Sequence, residues 1–271
     1  MSLSSDRNID VDFYKKNGYF IARDFFEKSY VEGILKKFYS YLESDDFSER
    51  RLFNSLKRLT NTPEKYTNLL KAFAKSKYIY DLFLCDDIYD AILELGIKEP
   101  SFCTYPVTNL VSNDLILENR SNKSVGWPYH QDWPSIQGSL NSVMVWIPLN
   151  NVDENYPMQL LPGSHKRGLI PCIDAGNGFP EIPLDDDEAR RLVAPAVKCG
   201  DVLFFSGFTV HGTRSAENTN DSFRFAVTGR FDDMLDKFFS DNGYYCAYKR
   251  SVDREIYNLP SKNDIIISNG W

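Results

Sequence analysis

Residues 200–231 read GDVLFFSGFTVHGTRSAENTNDSFRFAVTGRF, and two β-strands joined by a turn-rich loop are legible in them. The first is Val202–Phe205, a short apolar run bounded by Gly200-Asp201 and Ser206-Gly207, the punctuation expected around a strand. The second is Phe223–Phe231, rich in aromatic and β-branched residues. Between them, Gly212-Thr-Arg-Ser-Ala-Glu-Asn-Thr-Asn-Asp221 is dense in turn-forming residues, so the chain is expected to reverse there into a neighbouring strand. His211 stands just after the first strand, and Arg224 follows thirteen residues later at the start of the second.

The same pattern extends upstream. Met158–Leu161, Asn141–Leu149 and Ser101–Val107 are further short apolar or alternating runs, separated by Pro, Gly, Asn and Asp clusters. Before Pro100 the chain reads mainly as helix. Tyr30, Val31, Ile34, Leu35, Phe38, Tyr39 and Leu42 recur at three and four residues, an amphipathic stripe. A second helix follows Pro63 with Tyr66, Leu69, Leu70 and Phe73, and a third spans Asp87–Leu95 and stops at Gly96. One short strand, Gly18–Ala22, precedes them. Helices first and strands afterwards predict an α+β chain whose β part is a sandwich or jelly roll. The acidic stretch 184–191 is expected as an exposed loop or short helix. No repeat or linker divides the sequence, so one domain is expected over 1–271: a helical part over about 1–100, a β core over about 101–231 and a C-terminal extension over 232–271.

Composition narrows the class. Of 271 residues, 42% are hydrophobic and 25% charged, which excludes a disordered or collagen-like chain. With 31 basic and 38 acidic residues, the net charge is -7; an acidic surface repels phosphate backbones, so no nucleic-acid partner is expected. Aromatics at 14% favour a strand-rich core or an aromatic-walled pocket. Five cysteines, an odd number with no CxxC pair, suit reduced thiols in a cytosol better than a disulfide framework. The N-terminal MSLSSDRNIDVDF has no basic region followed by an apolar stretch, so no signal peptide is expected. No uncharged apolar run approaches the roughly 20 residues needed to span a bilayer. A soluble, cytoplasmic protein with no membrane partner is the expectation.

Only three histidines are present, His130, His165 and His211, which makes their placement informative. In His130-Gln131-Asp132 an imidazole and a carboxylate stand two residues apart, and on a strand they share a face. A lone HxD is common, and His211 by itself reads equally well as a core or turn histidine. Together, two histidines and one carboxylate make the set that holds non-haem Fe(II) with positions left open. Arg224 can return beside such a site and grip a carboxylate bidentately; Arg214 and Arg230 are rivals that spacing leaves open. His165, in Leu161-Pro-Gly-Ser-His165, reads as turn chemistry and not as a ligand.

Taken in order, His130-Gln-Asp132, Trp146-Ile-Pro-Leu149, Pro162-Gly-Ser-His165, Gly200-Asp-Val-Leu-Phe-Phe205, His211-Gly-Thr213 and Arg224 make the chain resemble the phytanoyl-CoA dioxygenase family of Fe(II)/2-oxoglutarate-dependent oxygenases. Phe13-Tyr-Lys-Lys-Asn-Gly-Tyr-Phe-Ile21 is similar to the family's N-terminal entry, so the resemblance runs from about residue 10 to 231. It implies a double-stranded β-helix, a cupin-like jelly roll with helices packed outside. It also implies Fe(II) held by His130, Asp132 and His211, with 2-oxoglutarate as cosubstrate. Arg224 would pair with the cosubstrate's distal carboxylate, while Thr213 and Trp146 would line its site. Two departures stand out: the interval from His211 to Arg224 is slightly longer than usual, and Met158-Gln159 occupies a place where the family often has glycine. Related halogenases carry a small residue at the carboxylate position, so Asp132 favours hydroxylation.

Trp127, Tyr129 and Trp133 flank the metal motif as candidates for a pocket wall, although strand aromatics more often serve as core. Gln159 and Gln137 are candidate substrate contacts. The expected reaction is hydroxylation of a small polar metabolite or biosynthetic intermediate by O2, with release of succinate and CO2. A zinc-dependent hydrolase on the same His/Asp/His set, or a non-catalytic jelly-roll binding module, are the competing readings.

Overall fold

Val143, Val145 and Ile147 pack against helices, while Met144 and Trp146, alternating with them, face a second core on the other side. A strand apolar on both faces has to lie between two layers, and this one is the middle of the fold. The computed structural model describes residues 9–42, 55, 63–112, 127–152, 157–175, 178–213, 223–248 and 255–270.

The N-terminal helices form the outer layer. Helix α1 (Val11–Asn17) is capped by the Asp10 carboxylate and ends at Gly18, whose φ of 81° lets the chain turn into β1 (Tyr19–Ala22). Helix α2 (Lys28–Ser40) buries Val31, Ile34, Leu35, Phe38 and Tyr39, the stripe expected from their spacing. Helices α3 (Pro63–Ala74), α4 (Lys77–Phe83) and α5 (Asp86–Glu94) follow; Phe73 is buried and Leu69 and Leu70 are half-buried, while the Tyr66 side chain lies outside the described residues.

The expected strand Ser101–Val107 is instead two, β2 (Pro100–Phe102) and β3 (Val107–Ser112), because the chain turns between Cys103 and Pro106. Helix α6 (Trp133–Ile136), β4 (Val143–Pro148), β5 (Met158–Leu160), β6 (Ile173–Asp174) and β7 (Pro180–Glu181) come next. The acidic stretch forms helix α7 (Asp186–Arg191), started by a capping box between Asp185 and Glu188. Then come β8 (Val202–Ser206), β9 (His211–Thr213), β10 (Phe223–Asp233) and two helices of the C-terminal part, α8 (Lys237–Asp241) and α9 (Lys262–Asn269).

The main sheet is antiparallel in the order β1-β8-β4-β10, and the far edge of β10 is shared by β3 over its first half and β2 at its end. The second sheet pairs β5 with β9 and is widened by bridges joining His130 to His211 and Leu160 to Val193. Met158 and Leu160 of the second sheet meet Trp146, Leu203, Phe205 and Ala226 of the first, so the two sheets face each other across a shared apolar core. This is the jelly roll with external helices that the sequence predicts. No helix among the described residues is long and apolar enough to cross a membrane.

Candidate metal centre

One reciprocal pair of backbone hydrogen bonds sets the centre. His130 N–H donates to His211 O at 2.9 Å and His211 N–H to His130 O at 3.0 Å, which brings the two ring centroids to 4.3 Å. Each ring also meets a carbonyl two residues upstream through Nδ1: Pro128 O at 2.6 Å for His130 and Thr209 O at 3.0 Å for His211. A carbonyl only accepts, so Nδ1 carries the proton in both rings and Nε2 carries the lone pair. His130 Nε2 is 3.7 Å from Asp132 Oδ1, and ligand atoms of His130, Asp132 and His211 all lie within 4.8 Å of one another. Asp132 and His211 are buried and His130 nearly so. Two imidazoles in a fixed tautomer and one carboxylate fit a divalent transition metal such as Fe(II).

The HxD motif reaches this geometry without the strand its spacing suggests. Only His130 is strand-paired; Asp132 has φ -77° and ψ -34° and stands at the N-cap of α6. Gln131 points the other way and is pegged by three hydrogen bonds, donating to Gly168 O and Phe208 O at 2.8 Å each and accepting from Ile170 N at 3.0 Å. That peg turns the backbone so that its two neighbours converge. The sequence reading assigned Gln131 no role, since nothing local distinguishes it from a spacer.

Strand β10 supplies the other wall. Its odd positions, Phe223, Phe225, Val227 and Phe231, pack into the helical layer, and its even positions turn to the centre. Arg224 donates through Nη2 to Thr213 Oγ1 at 2.9 Å and lies 5.7 Å from the Trp146 ring. Burial pushes its guanidinium down to about 10, which leaves it cationic at neutral pH. Arg230, six residues on, donates through Nε to Asp132 Oδ2 at 3.3 Å. Burial alone would lower its pKa, but Asp132, Tyr248 and Cys103 more than reverse this and hold it above the ordinary value. Both arginines, His130, Asp132, His211, Thr213, Trp146 and Trp127 line one cavity. Asn109, Met158, Phe205, Gly212 and Thr228 complete it, and Asn109 donates to Thr228 Oγ1 at 3.2 Å. Thr228 was legible from the alternation along β10; Asn109, contributed by β3, had no local signal.

The remaining candidates separate. Trp127 lines the cavity beside His130, with ring centroids 6.3 Å apart. Trp133 is fully buried, stacks on Phe208 and is core. The Tyr129 hydroxyl donates to Gln159 Oε1 at 2.6 Å, and neither residue lines the cavity. Gln137 is turned to the C-terminal part, where Nε2 donates to Glu255 O and Oε1 accepts from Tyr257 N; it is a structural tie and not a substrate contact. His165 stands apart from the ligand group. Its Nε2–H donates to Lys15 O at 3.1 Å, and its ring lies against Gly18, where any Cβ would fall 2.4 Å from Nδ1. Arg214 lies outside the described residues.

A two-sheet β-helix that gathers two histidines and a carboxylate between its sheets belongs to the non-haem, facial-triad class of metalloproteins. Within that class, residues 14–226 match the model of the phytanoyl-CoA dioxygenase (PhyH) family, and the chain belongs to it. Fe(II) and 2-oxoglutarate, the family's cofactor and cosubstrate, suit the donor set and the buried arginine found here. Comparison with curated protein sequences finds no match. Solved structures share the fold at low identity. The non-heme monooxygenase ThoJ in its apo form has a TM-score of 0.57 at 17% identity, covering 82% of this chain and 76% of that one. EctD from S. alaskensis with 2-oxoglutarate and 5-hydroxyectoine has a TM-score of 0.56 at 17% identity, over 87% and 80% of the two chains. The alpha ketoglutarate dependent epimerase SnoN from nogalamycin biosynthesis has a TM-score of 0.51 at 18% identity, over 82% and 81%.

Proposed function

We propose that this protein is an Fe(II)- and 2-oxoglutarate-dependent oxygenase that hydroxylates a C–H bond of a small polar metabolite or biosynthetic intermediate, releasing succinate and CO2. The observation that carries the reading is the pairing of His130 with His211, each Nδ1–H held by a carbonyl, beside Asp132 and in one cavity with Arg224.

In this reading His130, Asp132 and His211 hold Fe(II), which with 2-oxoglutarate and O2 supplies the oxidising chemistry. Pro128 O and Thr209 O fix both imidazoles in the ligating tautomer. Arg230 reaches both oxygens of Asp132, through Nε to Oδ2 and Nη2 to Oδ1, and so orients that carboxylate. Arg224 and the Thr213 hydroxyl receive the distal carboxylate of 2-oxoglutarate, with the Trp146 ring beside them. The commitment of Arg230 to Asp132 supports the choice of Arg224 over its rival. Trp127, Met158 and Phe205 contribute apolar wall to the cavity, and Met158-Gln159 stands where relatives often have glycine. Asp132 fills the position that related halogenases leave open, which favours hydroxylation. Asp132 is the sole carboxylate lining the cavity among the described residues, so a zinc hydrolase would lack a separate general base.

Anaerobic titration of the metal-free protein with Fe(II) and 2-oxoglutarate tests this directly. A weak visible charge-transfer band is expected, absent in Asp132→Ala. Arg224→Ala should need about ten- to a hundredfold more 2-oxoglutarate, the value of a lost charge-assisted pair. If Arg230→Ala raises that requirement and Arg224→Ala does not, the arginine is misassigned; no band at all, with zinc retained, would overturn the oxygenase reading. Product mass separates hydroxylation, which adds an oxygen atom, from epimerisation, which adds none.

A further inference from the structure

Beyond the cavity, where β10 ends, two thiols and a carboxylate come together. Cys103 Sγ and Cys246 Sγ are 3.3 Å apart, and an oxygen of Asp232 lies within 4.8 Å of both. Cys103 directly follows β2, and its N–H donates to Arg230 O at 2.9 Å. Cys246 lies in the irregular stretch after α8, where Ala247 N–H donates to Ile136 O at 2.7 Å. Two residues on from Cys246, the Tyr248 ring lies 6.0 Å from the Arg230 guanidinium. Arg230 thus holds Cys103 by its carbonyl and Asp132 by its side chain.

The cluster suits oxidation better than a metal. Tetrahedral zinc at about 2.3 Å from each thiolate spaces two sulfurs by about 3.8 Å, wider than the 3.3 Å observed. Asp232 Oδ1 is already engaged by Ser139 N at 2.8 Å and Ser139 Oγ at 3.0 Å. A disulfide, at about 2.05 Å, asks the sulfurs to close by about 1.3 Å, a movement the irregular stretch around Cys246 can supply. The two sulfurs share a hydrogen bond that either can donate, and the Cys246 thiol also reaches Cys103 O at 3.4 Å; their contact lowers Cys246 and raises Cys103, so Cys246 ionises first. An attacking thiolate beside a resolving thiol is the arrangement of redox-responsive pairs. Cys85 and Cys199 meet the carbonyls of Leu82 and Leu149, and burial raises both thiols, Cys199 to about 11, whereas Cys246 is lowered.

We propose that Cys103 and Cys246 form a peroxide-responsive pair that closes to a reversible disulfide, stapling the C-terminal stretch to the end of β2 and holding Tyr248 over Arg230. The Cys246 thiolate attacks one peroxide oxygen and the O–O bond breaks, leaving a sulfenic acid at Cys246 and a hydroxide that becomes water. The Cys103 sulfur, giving up its proton, then displaces the hydroxyl from Cys246 Sγ as a second water, and the S–S bond forms. Two thiols and one hydrogen peroxide become one disulfide and two waters; the sulfurs lose the two electrons that the peroxide gains. A dithiol reverses the step.

The test uses the full chain, metal-free, treated with one equivalent of hydrogen peroxide and digested without reduction. The expected product is a linked peptide pair carrying Cys103 and Cys246, with thiols titrated in denaturant falling from five to three and returning after dithiothreitol. Loss at this pair should run at least tenfold faster than at Cys85 or Cys199. Cys246→Ser, at a half-buried position outside any helix or strand, should abolish the link. Sulfinic acid at Cys246 without a link, earlier oxidation of Cys172, or one zinc per chain shielding both thiols from alkylation would each overturn the proposal. The readout is thiol chemistry in the absence of iron, so its failure and that of the oxygenase reading are separable.

Discussion

The buried imidazole of His165 and the buried carboxyl of Asp232 give the fold two opposing responses to pH. Burial holds His165 down at about 4 against 6.5 in an open chain, so the unfolded protein binds that proton more readily. Its contribution is complete above pH 6.5 and is lost toward pH 4 at about 1.4 kcal/mol per unit. Burial raises Asp232 from 3.8 to about 6, the Ser139 hydrogen bonds limiting the rise. That carboxyl is bound more tightly by a proton when folded, so its contribution is present at low pH and lost as pH rises through 6. Between pH 6 and 4 the two slopes oppose. In denaturant titrations of the metal-free protein, Asp232→Asn should therefore lose stability steeply from pH 6 to 4, and His165→Gln should gain it; equal slopes in the two variants would refute both assignments. Gln131 offers a second test at this scale. Gln131→Leu strips three buried hydrogen bonds, a cost of about 3 kcal/mol. It should weaken metal binding about ten- to a hundredfold, as for other groups that orient ligands; Co(II) titration with wild-type affinity would show that the peg does not aim the motif.

Among the elements, β10 does the most to join fold and site, and its outer face explains a glycine the sequence leaves unremarked. A Cβ at Gly229 would fall 2.6 Å from the Phe83 ring of α4, which is fully buried. Gly229→Ala should cost about 1–3 kcal/mol by overpacking, and the cost should shrink in a Phe83→Leu background because the two changes share one contact. Additive unfolding energies would place the strain elsewhere. The strand also runs past its expected end at Phe231, through Asp232 and Asp233. Both of these acidic residues are buried. Asp232 accepts from Ser139, and Asp233 accepts from the backbone N–H groups of Lys98 and Glu99 at 3.1 Å. Those donors arrive from distant segments, so no local pattern announced them.

At the scale of the whole molecule, the C-terminal part backs the metal centre. Ile265 of α9 is fully buried with Trp133, Leu140 and Phe208, and Asn269 donates to Leu140 O at 3.0 Å. Trp133 directly follows the candidate ligand Asp132, so this packing steadies the start of α6. Ile265→Asp buries a charge without a partner in an apolar cluster and should cost at least about 3 kcal/mol. Tryptophan emission should shift to the red and Fe(II) affinity should fall; a variant with unchanged emission and affinity would make α9 independent of the site.

The sequence by itself determined the layers and the candidate metal-binding set His130, Asp132 and His211. Period-two and period-3.6 patterns report which residues face an apolar neighbour, and three histidines in 271 residues leave few ways to assemble a metal site. Strand alternation also put Arg224, Thr228 and Arg230 on one face. Tertiary structure alone decided which arginine meets Asp132 and which meets Thr213, that Gln131 aims the HxD motif, that Gln137 ties down the C-terminal part, and that Cys103 meets Cys246 across 143 residues. Each of these is a contact between segments far apart in the chain. Local propensity is set by near neighbours, whereas such contacts depend on where the sheets place the two ends.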